Sequence, residues 1–209
     1  MLSRKSIHIG WAIWFQWVIF SMLGWLVATI LSMLPPNLDT ILSNTAFYIV
    51  WSLLLLALGA VIGATQWLIL RRYFSGAVRW IVASGVGMAI GGIVAFPLKL
   101  RDLYVGTSGF QLDEIAYGVV FGFLMGGAQW LVMRTWVQSA GWWVLSSTIG
   151  WTLGMAVGEL LPLNWSNTYT GHVYGMITEV IPAAVTGLAL VMLLQNPLDS
   201  ITIMDKSAG

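Results

Sequence analysis

The sequence predicts an all-α integral membrane protein, in which six transmembrane helices pack as a bundle. Three observations support this prediction: an apolar composition, six long apolar stretches and a repeat the size of a helical hairpin. Of the 209 residues, 58% are hydrophobic and only 8% are charged, and the mean hydropathy is +0.85. Because about 25% of the residues in a typical soluble domain are charged, this composition indicates a lipid environment.

Six continuous apolar stretches are long enough to cross the hydrocarbon core as helices, which takes about 20 residues. They cover residues 10–34, 45–70, 80–98, 115–133, 142–161 and 174–194. None of them alternates between polar and apolar residues, as the strands of a membrane β-barrel do. We therefore predict a single transmembrane domain over residues 1–198, followed by a disordered cytoplasmic tail over residues 199–209.

The distribution of Lys and Arg predicts that both termini lie in the cytoplasm, because cytoplasmic loops carry an excess of these residues. With the N-terminus inside, the inner side holds seven of the nine: Arg4, Lys5, Arg71, Arg72, Arg79, Arg134 and Lys206. The outer loops then hold Lys99 and Arg101 and the acids Asp39, Asp102, Asp113 and Glu114. We expect a multi-pass protein of the bacterial cytoplasmic (inner) membrane, with the thylakoid membrane as the alternative.

A sequence repeat relates the second and third apolar stretches to the fourth and fifth. Residues 63–91 align without gaps to residues 126–154, with ten identities in 29 positions. A repeat of two spans keeps both copies in the same orientation, so we expect a pseudo-symmetry axis along the membrane normal. The first stretch begins GWAIW where the fifth begins GWWVL, and this fainter similarity extends the expectation to three hairpins about a pseudo-threefold axis.

The repeated residues indicate helix packing and membrane anchoring. Glycines four residues apart recur at matched positions, and small residues allow close approach of helices in lipid. The repeated motif comprises Gln66, Trp67 and Arg71 in one copy and Gln129, Trp130 and Arg134 in the other. We expect these indoles, together with Trp80, Trp142 and Trp143, at the cytoplasmic interface, with the arginines just beyond. The glutamines either hydrogen-bond neighbouring repeats or form a polar ring, with Gln16 as a third member.

The pattern G-x-x-Q-W-L-x-L-R, followed by a turn and W-W, resembles that of small, largely cyanobacterial membrane proteins of unassigned function. The resemblance covers residues 59–158. It implies a polytopic architecture built from repeated hairpins, and it implies no catalytic residue and no cofactor.

Two acidic residues, Glu159 and Glu179, fall within the predicted spans. Ionisable groups are expensive in lipid, so each is a candidate functional group. Glu179 precedes Pro182 by three residues, and a proline removes one hydrogen bond from a helix. An acid beside an interrupted helix is typical of the ion sites of transporters.

A pocket that opens to the outer side is the predicted setting of these acids. His172 and Tyr117 are candidate binding residues there, and Tyr174 and Trp165 could complete the wall. A structural alternative stays open for each acid. Glu159 could lie at the outer interface, and the dipole of the early helical turns could stabilise Glu179.

Enzymatic signatures are absent from the sequence, which has no H-E-x-x-H, G-x-S-x-G or phosphate-binding loop motif. The chain has no Cys and two His, so we expect neither a metal site nor a cofactor. The leading hypothesis is a non-enzymatic scaffold, a subunit, or a binder of an apolar ligand. The alternative is a small solute or ion transporter or channel that uses Glu179 and Glu159. This alternative requires a water-accessible cavity that reaches Glu179 or the level of the repeated glutamines.

Expected partners follow from the same composition. Membrane lipids surround the bundle, and another membrane protein or an apolar small molecule is a further candidate. The net charge of +1 gives no general attraction to nucleic acid, so no nucleic-acid partner is expected.

Overall fold

A computed structural model describes residues 4–32, 44–95, 97–98, 104–105, 110–161 and 168–195. Six helices lie within these residues: α1 (Arg4–Ser32), α2 (Asn44–Leu70), α3 (Arg79–Ala95), α4 (Leu112–Met133), α5 (Gly141–Glu159) and α6 (Thr168–Leu194). Two short antiparallel strands, β1 (Tyr104–Val105) and β2 (Phe110–Gln111), lie between α3 and α4. Each predicted apolar stretch overlaps one helix, and the predicted tail lies outside the described residues.

Four segments of the described helices are long and apolar enough to cross a membrane. They are Gly10–Leu31, Ala46–Leu70, Leu112–Met133 and Tyr174–Leu194. α3 is apolar but shorter, with 17 residues. α5 has 19 residues, and its serines, threonines, glycines and tryptophans lower its hydropathy. The length and composition of these four segments are those of a helical membrane protein.

The helices pack in a ring that follows the order of the chain. Each helix lies against the next, and α1 closes the ring against α6. Between α4 and α5, a Cβ added at Gly126 would lie 2.7 Å from the Cβ of Ser147. Between α2 and α3, a Cβ added at Gly63 would lie 2.7 Å from the Cβ of Ser84. Helix backbones therefore approach closely at these glycines and gain van der Waals contact.

Buried apolar side chains form two clusters inside the ring. The Arg-end cluster lies near the turns that follow α2 and α4, and it includes Trp17, Leu70, Phe74, Trp80, Met133, Trp136 and Trp143. The Glu159-end cluster lies toward the end of α5, and it comprises Ala28, Ile62, Met88, Ala95, Phe121, Met125, Trp151 and Met155. Large apolar side chains also cover the outer surface of the ring, as contact with lipid requires.

The five tryptophans predicted to lie at the cytoplasmic interface differ in their exposure. Trp80 and Trp143 are 0% and 1% exposed, so the prediction that they anchor the interface is wrong. Their burial is favourable because a partner inside the ring accepts each indole N–H. Trp67 and Trp130 are half-buried, and Trp142 is exposed.

Two arginine–tryptophan contacts mark the Arg end of the ring. The Cζ atom of Arg71 lies 4.8 Å from the ring centroid of Trp67. The Cζ atom of Arg134 lies 5.0 Å from the ring centroid of Trp130. Each guanidinium is therefore within range of a cation–π interaction with the indole of the preceding turn.

Candidate functional site

Gln66 joins α2 to both of its neighbours in the ring. Its Nε2 donates to the Oγ of Ser21 on α1 at 3.0 Å. Its Oε1 accepts from the Nε1 of Trp80 on α3 at 2.9 Å. Both ends of the buried amide are therefore satisfied, as burial of an amide in an apolar interior requires.

Gln129 joins α4 to its neighbours with the same two bonds. Its Nε2 donates to the Oγ of Ser84 on α3 at 3.0 Å. Its Oε1 accepts from the Nε1 of Trp143 on α5 at 2.9 Å. The two glutamines thus have corresponding partners at equal distances, one hairpin apart.

Thr186 lies at the corresponding place on α6. Its Oγ1 accepts from the Nε1 of Trp17 on α1 at 3.1 Å. The same hydroxyl donates to the backbone oxygen of Pro182, 2.6 Å away in its own helix. The threonine is shorter than a glutamine, and no described hydrogen bond joins it to Ser147 on α5. The junction of α5 and α6 therefore lacks the side-chain bond that the glutamines supply elsewhere.

Gln16 lies away from these bonds, so the prediction that it is a third member of the polar ring is wrong. Its Oε1 accepts from the Nη1 of Arg72 at 3.2 Å in an exposed position. Adjacent residues of an α-helix point about 100° apart, since one turn takes 3.6 residues. Because Trp17 points into the ring, the side chain of Gln16 points to another face.

Trp17, Trp80 and Trp143 form a tryptophan triad at the centre of the Arg-end cluster. Their ring centroids lie 6.1, 5.6 and 5.2 Å apart, with interplanar angles of 72°, 89° and 75°. Edge-to-face pairs of this kind are favourable beyond the area they bury. The pattern W-x-x-x-S starts at each of the three indoles, at intervals of 63 residues. This pattern is the sequence signal by which the triad could have been found.

A cavity of about 40 Å³ lies in the middle of the ring, and all six helices line it. Trp143 lies on the side of the Arg-end cluster, and Met88, Met125 and Trp151 lie on the side of the other cluster. One water needs about 10–15 Å³ of such volume, so the cavity has room for roughly three. Pockets for organic ligands measure about 300–1,000 Å³. The cavity therefore suits water or one small ion.

Glu179 is the only acid on the described part of the cavity wall. It is 5% exposed, and its Oε2 atom has no hydrogen-bond partner among the described residues. A buried carboxylate oxygen without a hydrogen bond is costly, because burial removes its hydration without replacing it. A polar atom in this condition needs an explanation, such as a bound water or ion.

Pro182 lies inside the continuous helix α6, one turn after Glu179, and also lines the cavity. It has no N–H to donate to the backbone oxygen of Thr178, the residue four positions earlier. That oxygen would lie 2.5 Å from a Cβ added at Gly154 on α5. Because Gly154 has no side chain, α5 packs directly against α6 at Thr178, whose backbone oxygen lacks the helical hydrogen bond.

Asp113 and Glu114 are buried in the first turn of α4, with 2% and 7% exposure. The prediction that they lie in an outer loop is therefore wrong. α4 begins three residues before the predicted span, because acids near a helix N-terminus interact favourably with its dipole. Glu114 was not among the predicted candidate residues, because it precedes the apolar stretch that marks this helix in the sequence.

Tyr117 and Tyr174 lie among the acids at the Glu159 end of the ring. Tyr117 interacts electrostatically with Glu179 and Glu114. Tyr174 interacts with Glu114 and Glu159. The structure therefore brings Tyr117 and Glu179 together, and it places the half-buried Glu159 near Tyr174 rather than on the cavity wall.

Gly158 makes room for Tyr174, because a Cβ added at Gly158 would overlap the Tyr174 hydroxyl. The two remaining candidate residues, His172 and Trp165, have no described side chain. The backbone of His172 lies in α6, but its side chain is outside the described residues. Trp165 lies outside them altogether.

Together the fold and the cavity define a helical membrane protein with a buried acid at the centre of its ring. Comparison with protein-family models, curated proteins and solved structures gave no match. The resemblance to membrane proteins with repeated G-x-x-Q-W-L-x-L-R hairpins stays a prediction.

Proposed function

We propose that the protein is a non-enzymatic membrane protein that passes a small inorganic cation, the proton included, through its ring of helices. Glu179 is the group that binds the cation. The supporting observation is the buried Glu179 carboxyl group, whose Oε2 atom lacks a hydrogen-bond partner among the described residues and which lines a cavity of about 40 Å³. An ionisable residue inside a membrane bundle is by default a functional hypothesis.

In this proposal all six helices span the membrane, as three hairpins about a pseudo-threefold axis along the membrane normal. The hairpins are α6 with α1, α2 with α3, and α4 with α5. Two observations support this arrangement. The tryptophans of the triad recur at equal intervals of 63 residues in the sequence, and Gln66 and Gln129 make matched hydrogen bonds. The 17 residues of α3 rise roughly 26 Å, close to the thickness of the hydrocarbon core.

The size of the cavity favours a cation over an apolar ligand. A volume of about 40 Å³ is several times too small for an organic molecule. A scaffold or subunit role stays a prediction, and it requires that a stoichiometric partner copurify with the protein in mild detergent. The arginines at the turns after α2 and α4 support a cytoplasmic location for the Arg end in a bacterial cytoplasmic membrane.

Ion flux into liposomes tests the proposed function. The purified protein is reconstituted, a potassium gradient with valinomycin sets the membrane potential, and pH and sodium dyes report the flux. We expect flux with the wild type and none with Glu179→Gln. Asp205→Asn makes the same chemical change near the C-terminal end of the sequence and should behave as wild type.

Size-exclusion chromatography of each variant in detergent confirms that it is folded before reconstitution. The proposed function is wrong if wild-type liposomes take up neither protons nor sodium faster than empty ones. It is also wrong if folded Glu179→Gln protein supports the same flux as the wild type.

A further inference from the structure

We propose that the ion at Glu179 is the proton, and that it reaches Glu179 from the end of α5 along Glu159, Tyr174, Glu114 and Tyr117. This inference depends on the proposed function and names its substrate and its route. The proposed route includes residues outside the cavity, because Glu114 and Glu159 do not line it.

The oxygens of the cavity wall argue against a metal cation. The amide oxygens of Gln66 and Gln129 each accept from a tryptophan N–H, and so does the hydroxyl of Thr186. Hard cations such as Mg²⁺ or Ca²⁺ take six or more oxygen ligands at about 2.0–2.6 Å. In the described parts of the chain, no three His, Asp or Glu side chains are placed to hold a metal. A proton needs only one carboxylate oxygen, and Glu179 supplies it.

Carboxyl and phenol groups alternate between the end of α5 and the cavity. Glu114 and Tyr117 are three residues apart on α4, so they share one face of that helix. Tyr117 interacts electrostatically with Glu114 and with Glu179 across the helix interface. Glu179 therefore has an ionisable neighbour, Tyr117, that shares a helix face with a second buried acid, Glu114.

The outer half of the route depends on Tyr174, which is 2% exposed. Tyr174 interacts electrostatically with Glu159 and with Glu114, and so lies between the half-buried end of α5 and the buried start of α4. Its hydroxyl fits there because Gly158 has no side chain. From Tyr174 to Glu179 along α6 is about 7.5 Å, from a rise of about 1.5 Å per residue.

Proton transfer along this route needs no other reactant. A phenol can both donate and accept a hydrogen bond. When Glu114 gives its proton to the Tyr117 oxygen, Tyr117 gives its own proton to the Glu179 carboxylate. Glu114 is then a carboxylate, Glu179 is a neutral acid and Tyr117 is unchanged, so no electron is transferred. Of these groups only Glu179 lines the cavity, so water in the cavity can exchange a proton with Glu179 directly. Chains of ionisable side chains that include Glu form the proton relays of membrane pumps and transporters.

Infrared difference spectroscopy distinguishes a proton from a metal cation at Glu179. The carbonyl band of the neutral acid is assigned by its loss in Glu179→Gln and by its shift in Glu179→Asp. We expect the band to follow pH and to be unchanged when NaCl or KCl replaces choline chloride at fixed pH. Loss of the band on addition of Na⁺ or K⁺ would overturn the proton assignment while leaving a cation-binding function intact.

Phenylalanine variants test the route. Tyr117→Phe keeps the ring, which stacks on Phe121 at 5.4 Å, and removes only the hydroxyl. We expect Tyr117→Phe and Tyr174→Phe to slow proton uptake into liposomes by about tenfold, which corresponds to roughly 1.4 kcal/mol in the barrier. Tyr48→Phe removes a hydroxyl from a residue of α2 that is 62% exposed, and it should have no effect.

The results separate the route from the function. If both phenylalanine variants conduct protons as fast as the wild type and Tyr48→Phe, the route is wrong. If folded Glu179→Gln also conducts as the wild type does, the proposed function fails with it. Loss of the infrared band in Glu179→Gln, together with slow uptake in Tyr117→Phe and Tyr174→Phe, supports both.

Discussion

Replacement of Gln129 by leucine should weaken the packing of three helices at once. Gln129 on α4 holds Ser84 on α3 and Trp143 on α5, with both bonds at 2.9–3.0 Å and buried. Leucine has a similar volume and can make neither bond. The substitution therefore tests the hydrogen bonds rather than the space the side chain fills.

The expected loss of stability is about 2–4 kcal/mol. Hydrogen bonds between helices in membrane proteins average about 0.6 kcal/mol, so two of them contribute about 1 kcal/mol. The larger part comes from the N–H of Trp143, which is 1% exposed and is left without an acceptor. An unsatisfied buried donor costs about 1–3 kcal/mol. Ser84 loses less, because a serine hydroxyl in a helix can donate to a carbonyl of the preceding turn.

Equilibrium unfolding in mixed detergent micelles measures this effect. The fraction of SDS is raised and the fluorescence of the buried tryptophans reports the transition, so the shift gives the change in unfolding free energy. The same variant also exposes the Trp143 indole to a new environment, which should change the emission of the folded state.

Gln16→Leu is the matched control, because Gln16 makes one exposed hydrogen bond to Arg72. Its effect should stay within about 0.5 kcal/mol, as for other surface substitutions. The reasoning is refuted if Gln129→Leu unfolds at the same SDS fraction as Gln16→Leu or at a higher one.

Three further predictions concern other parts of the ring. Gly126→Ala should lower stability by about 1–3 kcal/mol in the same unfolding assay, since an added Cβ would press on the next helix. Gly127→Ala, where an added Cβ meets nothing within 4 Å, should be neutral or stabilising by up to about 1 kcal/mol, and equal effects of the two variants would contradict the packing. Arg71→Ala and Arg134→Ala should each lose about 0.5–1 kcal/mol of cation–π interaction, and unchanged midpoints would show that these contacts contribute nothing. Glu179→Leu should raise the unfolding midpoint and abolish flux, because a buried acid that is kept for its function lowers the stability of the fold. A lower midpoint would indicate that Glu179 has a structural role.

The positions of the helices could be predicted because apolar stretches and their interruptions are local properties of the sequence. α2 begins at Asn44 and ends at Leu70, against a predicted stretch of 45–70. α1 and α6 each begin six residues before their predicted stretches. α4 begins three residues before its own, because Asp113 and Glu114 interrupt the apolar pattern although they favour a helix N-terminus.

The interior of the ring could not be predicted in the same way. Helices that are apolar on all sides give little periodicity to show which face is buried. Trp80 resembles an interface anchor in sequence, since it lies beside a turn and near arginines. Its burial depends on the acceptor oxygen of Gln66, which another helix supplies. The role of Thr186 was missed for the same reason, because its partner Trp17 lies 169 residues away.

Glu179 could be singled out from sequence by residue type alone, because an acid in an apolar stretch is unusual. Its surroundings could not, because the cavity wall combines side chains from six helices. Whether Glu179 and Glu159 act as binding residues stays a prediction, which the flux and infrared measurements address.

The closure of the ring by its first and last helices constrains the synthesis of the protein. The bonds from Trp14 to Ala184 and from Trp17 to Thr186 join residues 170 and 169 positions apart. During translation α1 leaves the ribosome long before α6, so one side of α1 waits in the membrane without its final neighbour. The last helix to emerge also carries Glu179. A nascent or truncated chain that ends before α6 therefore lacks both the helix that closes the ring and Glu179, so under the proposed function we expect it to conduct no cation.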